Sequence, residues 1–224
     1  MATLKRPKLS GKCVYCMNSY SLATIGRHLI SCEKRREQLS KGKTHKTFIL
    51  SIKGIGVTGY TYWMFLEVNP RLKLQDLDAF LRKRWVECCS HLSQFLINGQ
   101  YYISDGAKEP GEKSMNYKLK DLLKEGAEFL YEYDFGTTTI LKLKVIKVDE
   151  GMEDSIGILA INEAPKIPCA ICGKEDATQI CTECLYEGEE TAFFCDKCAE
   201  KHEHDDMLLP LVNSPRTGMC GYTG

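Results

Sequence analysis

The chain has 224 residues, 43% of them hydrophobic and 27% charged, with equal numbers of acidic and basic side chains. That is the composition of an ordinary globular protein, and it excludes a fibrous or low-complexity chain. No apolar run reaches the roughly 18 residues of a membrane span, and the basic stretch from Met1 to Ser10 leads into no apolar signal core. The expected setting is therefore the cytoplasm, without a membrane partner. Thiols stay reduced there, and clustered cysteines point to metal rather than disulfides.

The zero net charge conceals two opposed ends. Residues 1–46 carry eleven Lys/Arg against Glu33 and Glu37, a balance of +9, and residues 150–206 carry fifteen acidic side chains against four lysines, a balance of −11. Such a chain has either different partners for its two ends or contact between them.

Residues 1–45 form the first unit, a basic metal finger with its linker. Cys13, Cys16, His28 and Cys32 follow a CxxC…HxxxC spacing. Zinc requires four soft or borderline ligands in a tetrahedron, which a hairpin and a helix supply together. His28 and Cys32, four apart, share a helix face, and Tyr20 and Ile25 are placed to pack beneath the metal. Lys34, Arg35 and Arg36 continue the helix and are candidate phosphate contacts to DNA or RNA; the alternative is a solvated helix end favoured by the dipole.

Residues 46–148 read as an α+β domain. Phe48, Leu50 and Ile52 alternate as in a strand. Gly54, Gly56 and Gly59 mark a turn into a returning strand, Tyr60 to Val68. Leu74, Leu77, Phe80, Leu81, Trp85 and Cys88 recur at helical spacing after Pro70. Asn98-Gly99 between Phe95–Ile97 and Tyr101–Ile103 is a hairpin signal. A short turn at Leu119–Leu123 precedes two last strands, Phe129 to Phe135 and Thr138 to Val148. The order β-β-α-β-β-turn-β-β, with one helix crossing a mixed sheet, is β-grasp-like. Cys88, Cys89 and His91 at the helix end could be a thiol nucleophile and base, but apolar-flanked cysteines are expected as packed core. Asp134-Phe135-Gly136 is read as a turn.

Residues 149–168 read as an acidic linker with a short apolar run, Ile156 to Ile161. Residues 169–224 hold Cys169, Cys172, Cys181, Cys184, Cys195, Cys198, His202 and His204, the ligands of a two-zinc module. Interleaved pairing, with Cys169, Cys172, Cys195 and Cys198 on one ion and Cys181, Cys184, His202 and His204 on the other, is preferred to sequential pairing. His204 is the least secure ligand, with Cys220 or a nearby Asp as substitutes. The spacing resembles a B-box-type cross-brace.

The runs Trp85-Val86-Glu87-Cys88-Cys89-Ser90-His91-Leu92-Ser93-Gln94-Phe95, Ile97-Asn98-Gly99 and Tyr131-Glu132-Tyr133-Asp134-Phe135-Gly136 resemble the prokaryotic domain family named after open reading frame three of a Ri plasmid, also found on transposon passenger proteins. The stretch from Leu209 to Tyr222 is similar to the tail of its zinc-bearing members. The resemblance implies a β-grasp-like topology and a mobile-element setting, without a defined reaction. Many members follow Asp-Phe-Gly with an acidic residue, an aromatic and a His, where this chain has Thr137-Thr138-Thr139; an activity resting on those residues would be lost here.

Taken together, the sequence points to a recognition or adaptor protein rather than an enzyme. It would hold three zinc ions, contact nucleic acid through its basic finger and bind a protein through its acidic module. The alternatives are a metal-dependent nuclease or hydrolase, favoured if Cys88, His91 and Asp134 converge, and a structural protein that self-associates.

Overall fold

The computed structural model describes residues 7–104, 110–188 and 191–224; Lys5 and Arg6 of the basic head lie outside them. A hairpin of β1 (Ser10–Cys13) and β2 (Ser19–Ser21) leads into α1 (Leu22–Ser31) and α2 (Glu33–Leu39). Next come β3 (His45–Ile55), β4 (Thr61–Val68) and α3 (Leu74–Leu81), which continues as a π-helical turn through Val86. β5 (Ser93–Ile97), β6 (Gln100–Ile103), β7 (Lys113–Ser114), α4 (Leu119–Leu122), β8 (Glu128–Tyr133), β9 (Thr139–Gly151) and β10 (Ile156–Asn162) complete the centre. The last part contains β11 (Gln179–Cys181), α5 (Thr182–Tyr186), β12 (Phe193–Phe194), α6 (Asp196–Ala199) and β13 (Leu208–Pro210).

Ten strands make one sheet in the order β2-β1-β10-β4-β3-β9-β8-β5-β6-β7, and β12-β11-β13 make a second. The elements expected between residues 46 and 148 are all present, and Asn98 and Gly99 close the β5–β6 hairpin at φ of 50° and 79°. The class is mixed α and β, dominated by sheet. Where a mixed sheet was expected, parallel pairing among the described residues is confined to β6 with β7, and β3 pairs antiparallel with both β4 and β9.

The finger is part of this sheet rather than a separate module. Gly11 to Cys13 pair with Asn162 to Ala160 of β10, and β10 pairs in turn with β4. Residues 149–168 are consequently no linker. β9 runs on to Gly151, and the apolar run at 156–161 becomes β10 because it gains cover on the sheet: Leu159 and Ala160 are buried with Ile25, Leu29, Ile49, Trp63 and Phe65. Met64 and Leu66 belong to the other core, with Leu74, Leu77, Leu81 and Trp85. Alternate residues of β4 thus face opposite layers, α3 on one side and the finger on the other. Burial on both faces turns β3 and β4 into continuous apolar runs.

Two pairs join the opposed ends, Lys46 with Glu150 at 2.8 Å and Lys12 with Glu163 at 3.7 Å. Arg35 instead pairs outside the acidic end, with Asp149 at 2.7 Å and Glu67 at 3.3 Å.

The chain after β13 folds back over the centre. Asn213 and Asn162 exchange hydrogen bonds of 2.8 Å, and the Ser214 hydroxyl donates to the Trp85 carbonyl at 2.6 Å. Pro215 lies on the β3–β4 hairpin, where a Cβ added at Gly56 would come within 2.8 Å of the Pro215 carbonyl oxygen. The glycines read as a turn signal also admit this backbone. Gly56→Val is expected to cost about 1–3 kcal/mol through overpacking and to raise hydrogen exchange at residues 213–217. Unchanged exchange there would show that the approach is not tight.

Candidate metal centres

In the finger, Cys13 ends β1, Cys16 sits in the following turn, His28 lies on α1, and Cys32 caps that helix. The Cys13 carbonyl accepts from Met17 N–H at 2.8 Å, with Met17 at φ 62°; this tight turn aims both sulfurs inward. The four ligand atoms lie within 4.8 Å of one another. Cys13 Sγ is 4.0 Å from Cys32 Sγ, and Cys16 Sγ is 3.3 Å from His28 Nε2. Tetrahedral zinc, with bonds of about 2.3 Å to sulfur and 2.0–2.1 Å to nitrogen, places such atoms about 3.5–3.8 Å apart, whereas a disulfide needs about 2.05 Å. The donor set and spacing fit a metal. Tyr20 stacks on His28 at a centroid distance of 4.0 Å, and buried Ile25 and Leu29 anchor α1 to the sheet. Burial pushes the Cys13 thiol up to about 11, and a cation would reverse this by holding it as thiolate.

Near the C-terminus the ligands gather in interleaved pairs. Cys169, Cys172, Cys195 and Cys198 form one group, and Cys181, Cys184, His202 and His204 form the other. Antiparallel pairing of β11 with β12 sets the two groups at opposite ends of the ladder, since Cys181 ends β11 beside Ala192 and Cys195 follows β12 on the side of Thr178. Cys172 and Cys195 sulfurs are 3.9 Å apart. Cys184 Sγ lies 3.4 Å from His202 Nε2 and 3.7 Å from His204 Nδ1. His204 therefore stands with its group, and Cys220 lies elsewhere. The His202 ring packs on Phe194 at 4.3 Å. Burial opposes ionisation of Cys169, but hydrogen bonds from the backbone of Cys172, Cys195 and Ile171 outweigh it and bring the thiol down to about 6. The neighbouring Cys195 sulfur and burial push Cys198 up to about 12. A thiolate cluster of this kind is completed by a cation that balances its charge.

Of the two cysteines expected as packed core, Cys88 is half-buried against the core and Cys89 is exposed, because the chain turns extended at Glu87 when the π turn ends; His91 is half-buried. Cys88, His91 and Asp134 do converge: Arg216 Nη2 reaches both Cys88 Sγ and Asp134 Oδ2, and His91 Nε2 is 3.6 Å from Asp134 Oδ2. The thiol that meets that same ring nitrogen is Cys220, at 3.3 Å. A relay through His91 needs thiol and carboxylate on opposite nitrogens. The Asp134 carboxylate also accepts from fully buried Arg216 at 2.6 Å. That hydrogen bond, against the opposing effect of burial, holds Asp134 below the usual carboxylate range; an anion so held is a poor proton acceptor.

Residues 54–203 match the plasmid pRiA4b ORF-3-like protein family. The chain belongs to that family. The match takes in Cys88, Cys89 and His91 and most of the C-terminal ligands, stopping short of His204 and Cys220. Among solved structures, a protein of unknown function from Methanosarcina mazei Go1 is similar at 22% identity and a TM-score of 0.44, over 51% of this chain and 67% of that one. No curated protein matches the sequence significantly.

In this pRiA4b ORF-3-like chain the Thr137-Thr138-Thr139 stretch serves the tail: the Thr137 carbonyl and the Thr139 hydroxyl accept from Arg216 Nη1 at 2.8 and 3.0 Å. The basic candidates separate. Lys34 is exposed and pairs with Glu37 at 3.1 Å, and Arg36 is exposed. Arg35 is only 2% exposed and corrects the expectation of a phosphate contact: its guanidinium points into the sheet, towards Glu67, Asp149 and the Glu150 carbonyl. α2 turns one side to the sheet, and Arg35 is its buried residue. Among the described residues no helix is long and apolar enough to cross a membrane.

Proposed function

We propose that the chain is a zinc-stabilised recognition protein whose exposed finger cations meet an anionic partner and whose acidic C-terminal part meets a protein. The carrying observation is closure. Each of the three clusters expected from the sequence offers four ligand atoms within one tetrahedron's reach, whereas catalytic zinc keeps an open position beside three protein ligands. Zinc counted on the full chain by native mass spectrometry should drop by one ion in each of Cys32→Ser, Cys184→Ser and Cys198→Ser. A cluster whose variant loses none is not a zinc site.

Arg35 does not serve the anionic surface. Arg27, Arg36, Lys41 and Lys43 of the finger and its linker are exposed and form no ion pair among the described residues. If four such cations neutralise phosphates, affinity for a duplex should fall with salt at a log–log slope of about −3 to −4. Fluorescence anisotropy with DNA and RNA oligonucleotides at low ionic strength checks this. Reversing Arg27, Arg36, Lys41 and Lys43 to Glu should abolish binding, and a wild type that binds neither polymer removes nucleic acid as the partner. On the acidic part, Tyr186 is 94% exposed at the end of α5, close to Glu183 and Glu187. An exposed aromatic beside carboxylates suits a basic protein segment, and its acidity opposes a role with phosphate.

A further inference from the structure

We infer that Cys88, Cys89, His91 and Cys220 form a fourth zinc site, which clips the chain after β13 onto the end of the α3 helix region. Their four ligand atoms lie within 4.8 Å of one another, like those of the other three groups. His91 Nε2 stands 3.3 Å from Cys220 Sγ, close to the roughly 3.5 Å between nitrogen and sulfur on one tetrahedral zinc ion. The set is Cys3His, the same chemistry as in the finger. With it, all twelve cysteines of the chain fall into four complete groups.

Two further observations point to a ligand. The surroundings are built for a metal–thiolate centre: Arg216, fully buried, donates to Cys88 Sγ at 3.3 Å, and Tyr133 hydroxyl lies 3.3 Å from the backbone N–H groups of both Cys88 and His91. A cation against the sulfur and a fixed backbone are the outer contacts that orient metal ligands. The backbone is also strained here. Of the five non-glycine residues with positive φ among the described residues, three belong to or adjoin this cluster: Cys220 (48°), Ser90 (59°) and Asp134 (64°). Such conformations cost free energy and persist only where other interactions hold them. No disulfide explains them, since Cys88, Cys89 and Cys220 are all free thiols.

This site differs from the others in access. Cys89 and Cys220 are exposed, whereas each of the other groups has at least two buried ligands. Zinc binding here displaces the thiol protons, joins residues 131 positions apart, and should be the first to yield to a chelator.

The full chain, purified without added metal and counted by native mass spectrometry, is expected to carry four zinc ions, and Cys89→Ser/Cys220→Ser three. Both side chains are exposed, so the double replacement removes no core packing. In the unmodified chain, Cys89 and Cys220 should resist N-ethylmaleimide until a chelator is added, then react before any other cysteine. Three ions in the wild type, four in the double variant, or prompt alkylation of Cys89 and Cys220 without chelator would each overturn the site. Should the variant shed more than one ion, the alkylation map of the unmodified chain decides alone.

Discussion

Cys184→Ser is expected to release one zinc ion and unfold the segment from residue 167 to β13. Structural zinc contributes on the order of 10–16 kcal/mol of apparent folding free energy in small modules, comparable with the roughly 5–15 kcal/mol total stability of a domain. The segment has little of its own to hold it: its sheet is three short strands, and Ile167, Ile180, Ala192, Phe193 and Phe194 are buried only as an extension of the central core. Cys184 is 3% exposed, and its sulfur meets both His202 and His204. Losing it frees two imidazoles as well as one thiol. Zinc counting with hydrogen exchange is the check. Exchange should become fast across 167–210 and remain slow in β3 and β9. Retention of every ion, with unchanged protection, would refute the assignment.

Arg35→Ala should cost about 3–5 kcal/mol, the usual penalty for leaving one partner of a buried ion pair alone. At this size that lowers the melting temperature by on the order of 10 °C. Glu67 is 2% exposed; its second oxygen accepts from Met152 and Glu153 N–H at 2.8 and 3.0 Å. The carboxylate thus stays buried, with one oxygen left without its partner, when the guanidinium goes. Lysine cannot replace the planar fork that reaches Glu67, Asp149 and a carbonyl together. Denaturant unfolding of Arg35→Ala against Arg36→Ala separates the two neighbours: the first should destabilise strongly and the second by less than about 0.5 kcal/mol. Equal losses would mean that the triad contributes little.

Local signals in the sequence carried far. Phe48, Leu50 and Ile52 announced β3, Asn98-Gly99 announced a hairpin, and CxxC pairs announced the ligand groups, because turn geometry and ligand spacing are short-range properties. What could not be read was set by long-range packing. Ile49 lies off the face of Phe48, Leu50 and Ile52, and the sequence assigns Trp63 and Phe65 to no face, yet the finger buries all three. The run from Ile156 to Ile161 was apolar enough to signal a strand, but its acidic flanks disguised it as a connection. The fourth ligand group leaves no local pattern, because Cys220 lies 129 residues beyond His91 and no spacing rule spans such a distance. Its one signal in the sequence is arithmetic. Once the metal spacings have taken their cysteines, Cys88, Cys89 and Cys220 remain, with His91 close behind the first two; three thiols and an imidazole are one complete ligand set.

The tail also bears on the order in which the molecule can be finished. Ser214, Arg216 and Thr217 are almost wholly buried, against partners made many residues earlier: the Trp85 carbonyl, Asp134 and the Thr139 hydroxyl. Chains emerge from the ribosome at roughly 5–20 residues per second, so those partners wait several seconds in water before their cover exists. On a translating ribosome the sheet can form early, but its far end stays open until the C-terminal cysteines have themselves been made. With zinc on Cys220, Cys88, Cys89 and His91 as inferred above, closure of that surface would wait on metal as well as on the synthesis of residues 213–220.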